Sequence, residues 1–137
     1  MRVGNINAVR VWGGGMYEVE EFYRLADENG VLIWHDLMFA CSLYSAEEAF
    51  LESVRKEVEQ NLYRARSHPS VLVWAGNNEN EVGLMASWFY AGGYTMEQMK
   101  ADYRRLYVEM LGKVVARLDP SREYLYSSPS NGIETVE

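Results

Sequence analysis

Apolar residues along the chain fall into two alternating patterns, short unbroken runs and longer stretches carrying a helical stripe. Residues 7–12, Asn-Ala-Val-Arg-Val-Trp, form the first run, stopped by Gly13-Gly14-Gly15. Residues 18–29 then place Val19, Phe22, Tyr23, Leu25 and Ala26 on one helix face. Glu18, Glu20 and Glu21 fall in its first turn, where the helix dipole favours acids. Asn29-Gly30 stops that helix, and residues 31–34 begin a second strand that runs into His35-Asp36. After a loop with Phe39, Cys41 and Tyr44, residues 46–67 read as a long helix with Phe50, Leu51, Val54, Val58, Leu62 and Ala65 buried. Ser45, with Glu48 three residues on, predicts a capping box at its start. Pro69 opens the third strand, residues 70–75, which is rich in β-branched residues and has no polar alternation. That is the pattern of a strand buried on both faces of a parallel sheet. An irregular stretch with Trp88, Phe89, Tyr90, Gly92 and Gly93 leads to a helix over residues 96–118, ended by Asp119-Pro120. Residues 124–127 form a last short strand.

Strands alternating with helices predict an α/β fold with a parallel sheet and right-handed crossovers. Two architectures fit, an open doubly wound sheet or part of an eight-stranded (β/α)8 TIM barrel. In both, working residues gather at the carboxyl ends of the strands. Here those ends hold Trp12, His35-Asp36, Asn78-Glu79 and residues 127–131. With 137 residues, 48% hydrophobic and 24% charged, the chain reads as one globular domain, residues 1–137. A net charge of −7 argues against nucleic acid or an anionic membrane as partner. No apolar run approaches the ~20 residues of a membrane helix. One cysteine forms no internal disulfide, and with two histidines it makes a Cys/His zinc site improbable. The opening residues carry no signal-peptide pattern and run almost at once into a strand, so the chain reads as a piece of something longer.

The third strand ends in Gly76-Asn77-Asn78-Glu79-Asn80-Glu81, and Glu79 is the first candidate for a working carboxylate. Two other readings of the cluster stay open. Asn78 can cap a short helix with Glu81 as its partner, or oxygens at 77, 79 and 81 can hold a hard cation, although the glycine of a Ca²⁺ loop is absent. The place at the end of a buried strand favours catalysis. Gly13-Gly14-Gly15 lacks the dinucleotide fingerprint, since position 18 is Glu, and instead allows a tight turn beside a ligand or neighbour. His35-Asp36 is either a catalytic pair or a structural couple. Trp12, at a strand mouth beside three glycines, offers a flat apolar surface with one polar N–H. Aromatic platforms beside carboxylates suggest carbohydrate.

Four blocks together resemble the β-mannosidases of glycoside hydrolase family 2: Arg10-Val11-Trp12-Gly13-Gly14-Gly15, residues 34–41 (Trp-His-Asp-Leu-Met-Phe-Ala-Cys), residues 68–81, and residues 127–132 (Ser-Ser-Pro-Ser-Asn-Gly). Order and spacing match over essentially the whole chain. The resemblance implies a partial (β/α)8 barrel, about strands two to five, within a longer enzyme that also carries accessory β-sandwich domains. It implies a retaining exo-hydrolase that removes terminal β-D-mannose from β-mannosides, with no cofactor and no metal. Glu79 would be the general acid/base, Asn78 would bond the sugar 2-hydroxyl, and Trp12 would line the mannose subsite. Asp36, Trp88 and Asn131 would be pocket or support residues. Position 35 is His where members often have Gln. Retaining hydrolysis uses two carboxyl groups roughly 5–5.5 Å apart, one of them first acid and then base. The nucleophile of the family lies on a later strand, and Glu134 and Glu137 are not assigned that role, so the isolated chain is expected not to turn over substrate. An endo-β-mannosidase, another family 2 glycosidase, a non-catalytic sugar-binding half-barrel and a metal-dependent hydrolase are the alternatives. The compartment would be cytoplasmic in a bacterium and lysosomal in an animal.

Overall fold

The computed structural model describes residues 2–89 and 92–132; Tyr90, Glu134 and Glu137 lie outside them. Four strands, β1 (Ala8–Val11), β2 (Leu32–Asp36), β3 (Val71–Ala75) and β4 (Glu123–Leu125), form one sheet in the order β1-β2-β3-β4. Every neighbouring pair is parallel, as the strand–helix alternation requires. The connections are α1 (Glu20–Asn29), α2 (Glu48–Ala65), the short α3 (Asn80–Met85), and α4 (Met96–Tyr103), which continues through a π-helical stretch, Arg104–Leu111, into α5 (Gly112–Leu118).

Register divides the strand residues between two faces. Val9, Ile33 and Val71 align, and a layer further on Val11, His35, Trp74 and Tyr124 align. This face carries the helices: Tyr23 of α1 stacks on His35, and Leu62, Leu106 and Val115 complete the core. The opposite face presents Arg10, Trp34, Val73 and Glu123 in one layer and Asp36, Ala75 and Leu125 in the next. Between Ile33 and Trp34 the register shifts, and Leu72 is the extra residue of the resulting bulge.

Several element ends differ from the sequence expectation for local reasons. The first helix begins at Glu20 and leaves Glu18 outside it. It closes on Gly30 at φ 63°, where Val31 N–H donates to Ala26 O at 2.9 Å. The capping box at Ser45 does not form. The Ser45 hydroxyl instead accepts from Glu47 N–H at 3.0 Å, the helix starts at Glu48, and the Glu48 carboxylate pairs with Arg105 across to the next helix layer. A capping box does form between Thr95 and Gln98 at the start of α4. The fourth strand spans Glu123–Leu125 rather than 124–127, because beyond Leu125 the ladder gives way to an isolated backbone bridge at Ser128 and to side-chain bonds from Asn77.

At the amino ends of the strands, ties are structural. Arg122 donates to Val71 O, Arg66 O and His68 O and pairs with Asp119 at 2.7 Å, and Asp119 also accepts the Trp74 indole N–H at 2.8 Å. The carboxyl ends are organised differently.

Candidate functional site

Beyond Ala75 the chain bends at Gly76 and pairs again at Asn78, which bridges Ala40 on one side and Ser128 on the other. Asn78 N–H donates to Phe39 O and Cys41 N–H donates to Asn78 O, each at 2.9 Å. Ser128 N–H donates to Asn77 O at 2.9 Å and Glu79 N–H to Ser128 O at 3.2 Å. The loops after β2 and β4 are thereby pinned to the acidic tip of β3.

Along this tip the side chains diverge. Asn77 is completely buried: its amide donates to Tyr126 O at 2.8 Å, and its oxygen accepts from Ser127 Oγ at 2.6 Å and Asn80 N–H at 3.0 Å. The side chain that accepts from the first N–H of α3 is therefore Asn77, not Asn78, whose amide is engaged instead with Arg10, Cys41 and Glu79. Glu81 does not act as its capping partner. Its buried carboxylate accepts from Tyr103 Oη at 3.1 Å and from Asn131 N–H at 2.7 Å, tying α4 to the loop after β4. Burial pushes the Tyr103 hydroxyl far above its ordinary pKa, so it stays protonated and donates. Asn77 and Glu81 thus have their oxygens engaged by protein donors, which removes two of the three ligands the hard-cation reading requires.

Glu79 sits between them at φ 61°, ψ 4°, a left-handed backbone that costs a non-glycine residue about 1–2 kcal/mol. Such strain persists where surrounding bonds over-determine the backbone. Here the bonds flanking Asn78 do so, and they aim the half-buried Glu79 carboxylate toward Asn78 Nδ2 and Cys41 Sγ, each 3.4 Å from Oε2.

Asp36 is the buried anchor beneath this arrangement. It is completely buried, and four donors surround it: Arg10 Nη2 at 2.7 Å, Arg10 Nε at 3.1 Å, Trp34 Nε1 at 3.0 Å and Gly13 N–H at 3.1 Å. Arg10 reaches on to Asn78 Oδ1 at 3.0 Å. The side chains of Arg10, Asp36 and Asn78, from three successive strand ends, form one polar chain leading to Glu79. His35 does not join it. By alternation its ring faces the helices, where Nδ1–H donates to Asp36 O and Nε2 accepts from Tyr23 Oη, both at 2.8 Å. His35-Asp36 is accordingly not a side-chain pair.

Trp12 is half exposed, and its ring lies against Gly14, where a β-carbon would come within 2.1 Å of it. A β-carbon on Gly13 would meet the Phe39 carbonyl oxygen at 2.4 Å. Both glycines are needed for close approach rather than for phosphate. Trp88, also half exposed, folds back on Gly83 of α3, and Trp88 N–H donates to Gly83 O at 2.8 Å. Asn131 is exposed and engages the site through its backbone N–H. The structure therefore brings Asp36, Asn78 and Glu79 together, sets Trp12 beside them through Gly13, and holds Trp88 and Asn131 at the periphery. Sequence reasoning gave Arg10 no role of its own and read Asn77 as a cation ligand rather than as a buried hydrogen-bonding hub. A lone arginine between Val9 and Val11 was the available signal for the first. Among the described residues no cluster of His, Cys, Asp or Glu is placed to hold a metal.

Four parallel strands with helices on one face and polar residues converging at the carboxyl ends define a segment of a β/α barrel of the kind that serves enzymes. The model of the glycosyl hydrolases family 2 TIM barrel domain matches residues 1–136, and the chain belongs to that family. It is 50% identical to a β-mannosidase of Mus musculus over 133 residues, 97% of this chain and 15% of that protein. It is 43% identical to β-mannosidase B of Emericella nidulans, with 94% of this chain and 16% of that one covered. The solved structure of a β-D-mannosidase from Dictyoglomus thermophilum superimposes with a TM-score of 0.83 at 42% identity, covering 96% of this chain and 15% of the other. A β-glucuronidase of Bacteroides uniformis, at 24% identity, 86% and 13% coverage and a TM-score of 0.62, shares the fold. The chain spans about 15% of the length of the curated relatives it matches.

Proposed function

We infer that this chain is a segment of the catalytic barrel of a retaining exo-β-mannosidase acting on terminal, non-reducing β-D-mannose. The observation that carries the reading is the strained tip of β3. Glu79 is held left-handed with its carboxylate beside the Asn78 amide, in a chain about half identical to β-mannosidases over nearly its whole length. Glu79 acts as general acid, protonating the leaving oxygen, and then as base toward the water that hydrolyses the glycosyl-enzyme. Asn78 bonds the hydroxyl on C2, Trp12 lines the mannose subsite, Asp36 holds the floor, and Trp88 and Asn131 border the pocket. The nucleophilic carboxylate, the remaining barrel strands and accessory β-sandwich domains come from elsewhere in the longer protein, and this chain alone is inactive.

The test is hydrolysis of an aryl β-mannoside by the full-length protein, wild type beside Glu79→Ala. An activated leaving group needs little protonation, so the variant forms the glycosyl-enzyme but hydrolyses it about 100-fold or more slowly. Azide needs no base; it attacks the sugar C1, displaces the enzyme carboxylate and restores turnover as the glycosyl azide. Wild-type activity in the variant would reduce Glu79 to a backbone pivot. Absence of β-mannosidase activity in the wild type would refute the substrate assignment.

A further inference from the structure

Arg10 has no part in the proton transfers assigned to Glu79, yet its position determines what the neighbouring amide can do. Its Nη2 donates both to Asp36 Oδ2 at 2.7 Å and to Asn78 Oδ1 at 3.0 Å, while Nε holds Asp36 from a second point. Asp36 is completely buried and is fixed independently by the Gly13 N–H and the Trp34 indole, so the guanidinium has one place to sit. A guanidinium has five donors, no acceptor and no accessible neutral form. Against it, only the oxygen of the Asn78 amide fits; the flipped amide would set donor against donor. Asn78 Nδ2 consequently faces the other way, 3.2 Å from Cys41 Sγ and 3.4 Å from Glu79 Oε2.

We propose that Arg10 is a positioning residue that locks Asn78 as a pure hydrogen-bond donor toward the sugar, so that the hydroxyl on C2 is read as an acceptor. This rests on the β-mannosidase reading of the same site. With its oxygen committed to Arg10, Asn78 has two amide hydrogens left. One serves the carboxylate and thiol beside it, and the other is free for the sugar. Without Arg10 the amide can turn over, and its oxygen would then confront the Glu79 carboxylate oxygen.

The experiment compares kcat/KM of the full-length protein on an aryl β-mannoside and on the matching 2-deoxy glycoside. Arg10→Met combined with Asp36→Asn removes the guanidinium without stranding a buried charge. The preference for the 2-hydroxyl substrate is expected to fall about tenfold, whatever activity the double variant loses on both substrates alike through Asp36. Arg10→Lys, which keeps a donor in place and guards against a folding failure of the double variant, is expected to lose about threefold in preference. In an Asn78→Ala background the preference is already gone, and changing Arg10 removes nothing further. Equal losses on both substrates, or an unchanged preference in both Arg10 variants, overturn the assignment while leaving mannosidase activity standing. A wild type that cleaves no β-mannoside overturns the reading beneath it, and the assignment with it.

Discussion

His35 shows how one position on a strand separates stability from chemistry. Its ring is almost completely inaccessible, stacked on Tyr23 and 4.7 Å from the Trp74 ring, with both nitrogens used in the neutral form. Burial pushes its pKa down from 6.5 to about 4. An unfolded chain therefore binds a proton at this site between about pH 6.5 and about 4 that the folded one refuses. The stability this burial contributes is fully present above pH 6.5 and is lost as pH falls toward 4, up to about 3 kcal/mol. Thermal unfolding followed from pH 7 to 4 is expected to show that decline. His35→Gln, whose amide can donate to the Asp36 carbonyl and accept from Tyr23, is expected to flatten it. An equal acid sensitivity in both proteins would assign the decline to other groups.

Individual elements show why the strands were legible in the sequence and the tip of β3 was not. Val71 to Ala75 reads as a strand because the run is short, apolar and rich in β-branched residues without polar alternation, and Gly30 reads as a helix stop because its left-handed backbone favours glycine. The capping of α3 was misassigned by one residue, from Asn78 to Asn77, because a hydrogen-bonding amide looks the same at either position until the strand's direction at its end is known. The failed capping box at Ser45 has a similar origin: the local pattern is present, but the Glu48 carboxylate is taken by Arg105 from the following helix layer. Arg10 escaped notice because its partners are 26 and 68 residues away. One consequence concerns Gly76, which joins β3 to its tip. A β-carbon there would lie 2.5 Å from the Tyr126 carbonyl oxygen and 2.4 Å from the Tyr124 hydroxyl. The first of these is backbone and can yield only by parting β3 from the segment after β4. Gly76→Ala is expected to destabilise the protein by about 1–3 kcal/mol and, because Asn77 and Glu79 follow directly, to lower kcat on an aryl β-mannoside at least tenfold. Denaturant unfolding and steady-state kinetics measure the two; a fully stable, fully active variant would show that the two segments can separate without cost.

At the scale of the molecule, helices cover one face of the sheet and leave the other open. Among the described residues β1 pairs only with β2 and β4 only with β3, so each outer strand offers a row of backbone donors and acceptors that no described strand pairs. On the open side, Leu32 is 42% exposed, and the bulge residue Leu72 is 54% exposed. In a closed barrel both edges are paired and the inner face is filled by side chains from all strands. The chain produced by itself has neither, and its net charge of −7 opposes association only over the range of salt screening. Such a segment is expected to self-associate as its concentration rises, more readily in 0.5 M salt than in 0.05 M. Light scattering at a series of concentrations reads this directly. Leu32→Lys with Leu72→Lys, which puts charge on the open face without touching the core, is expected to shift the population toward monomer, even though it lowers the net charge. A chain that stays monomeric throughout would mean that the open face and its edges are protected by its own fold, and the case for a barrel completed from elsewhere would then rest on family membership alone.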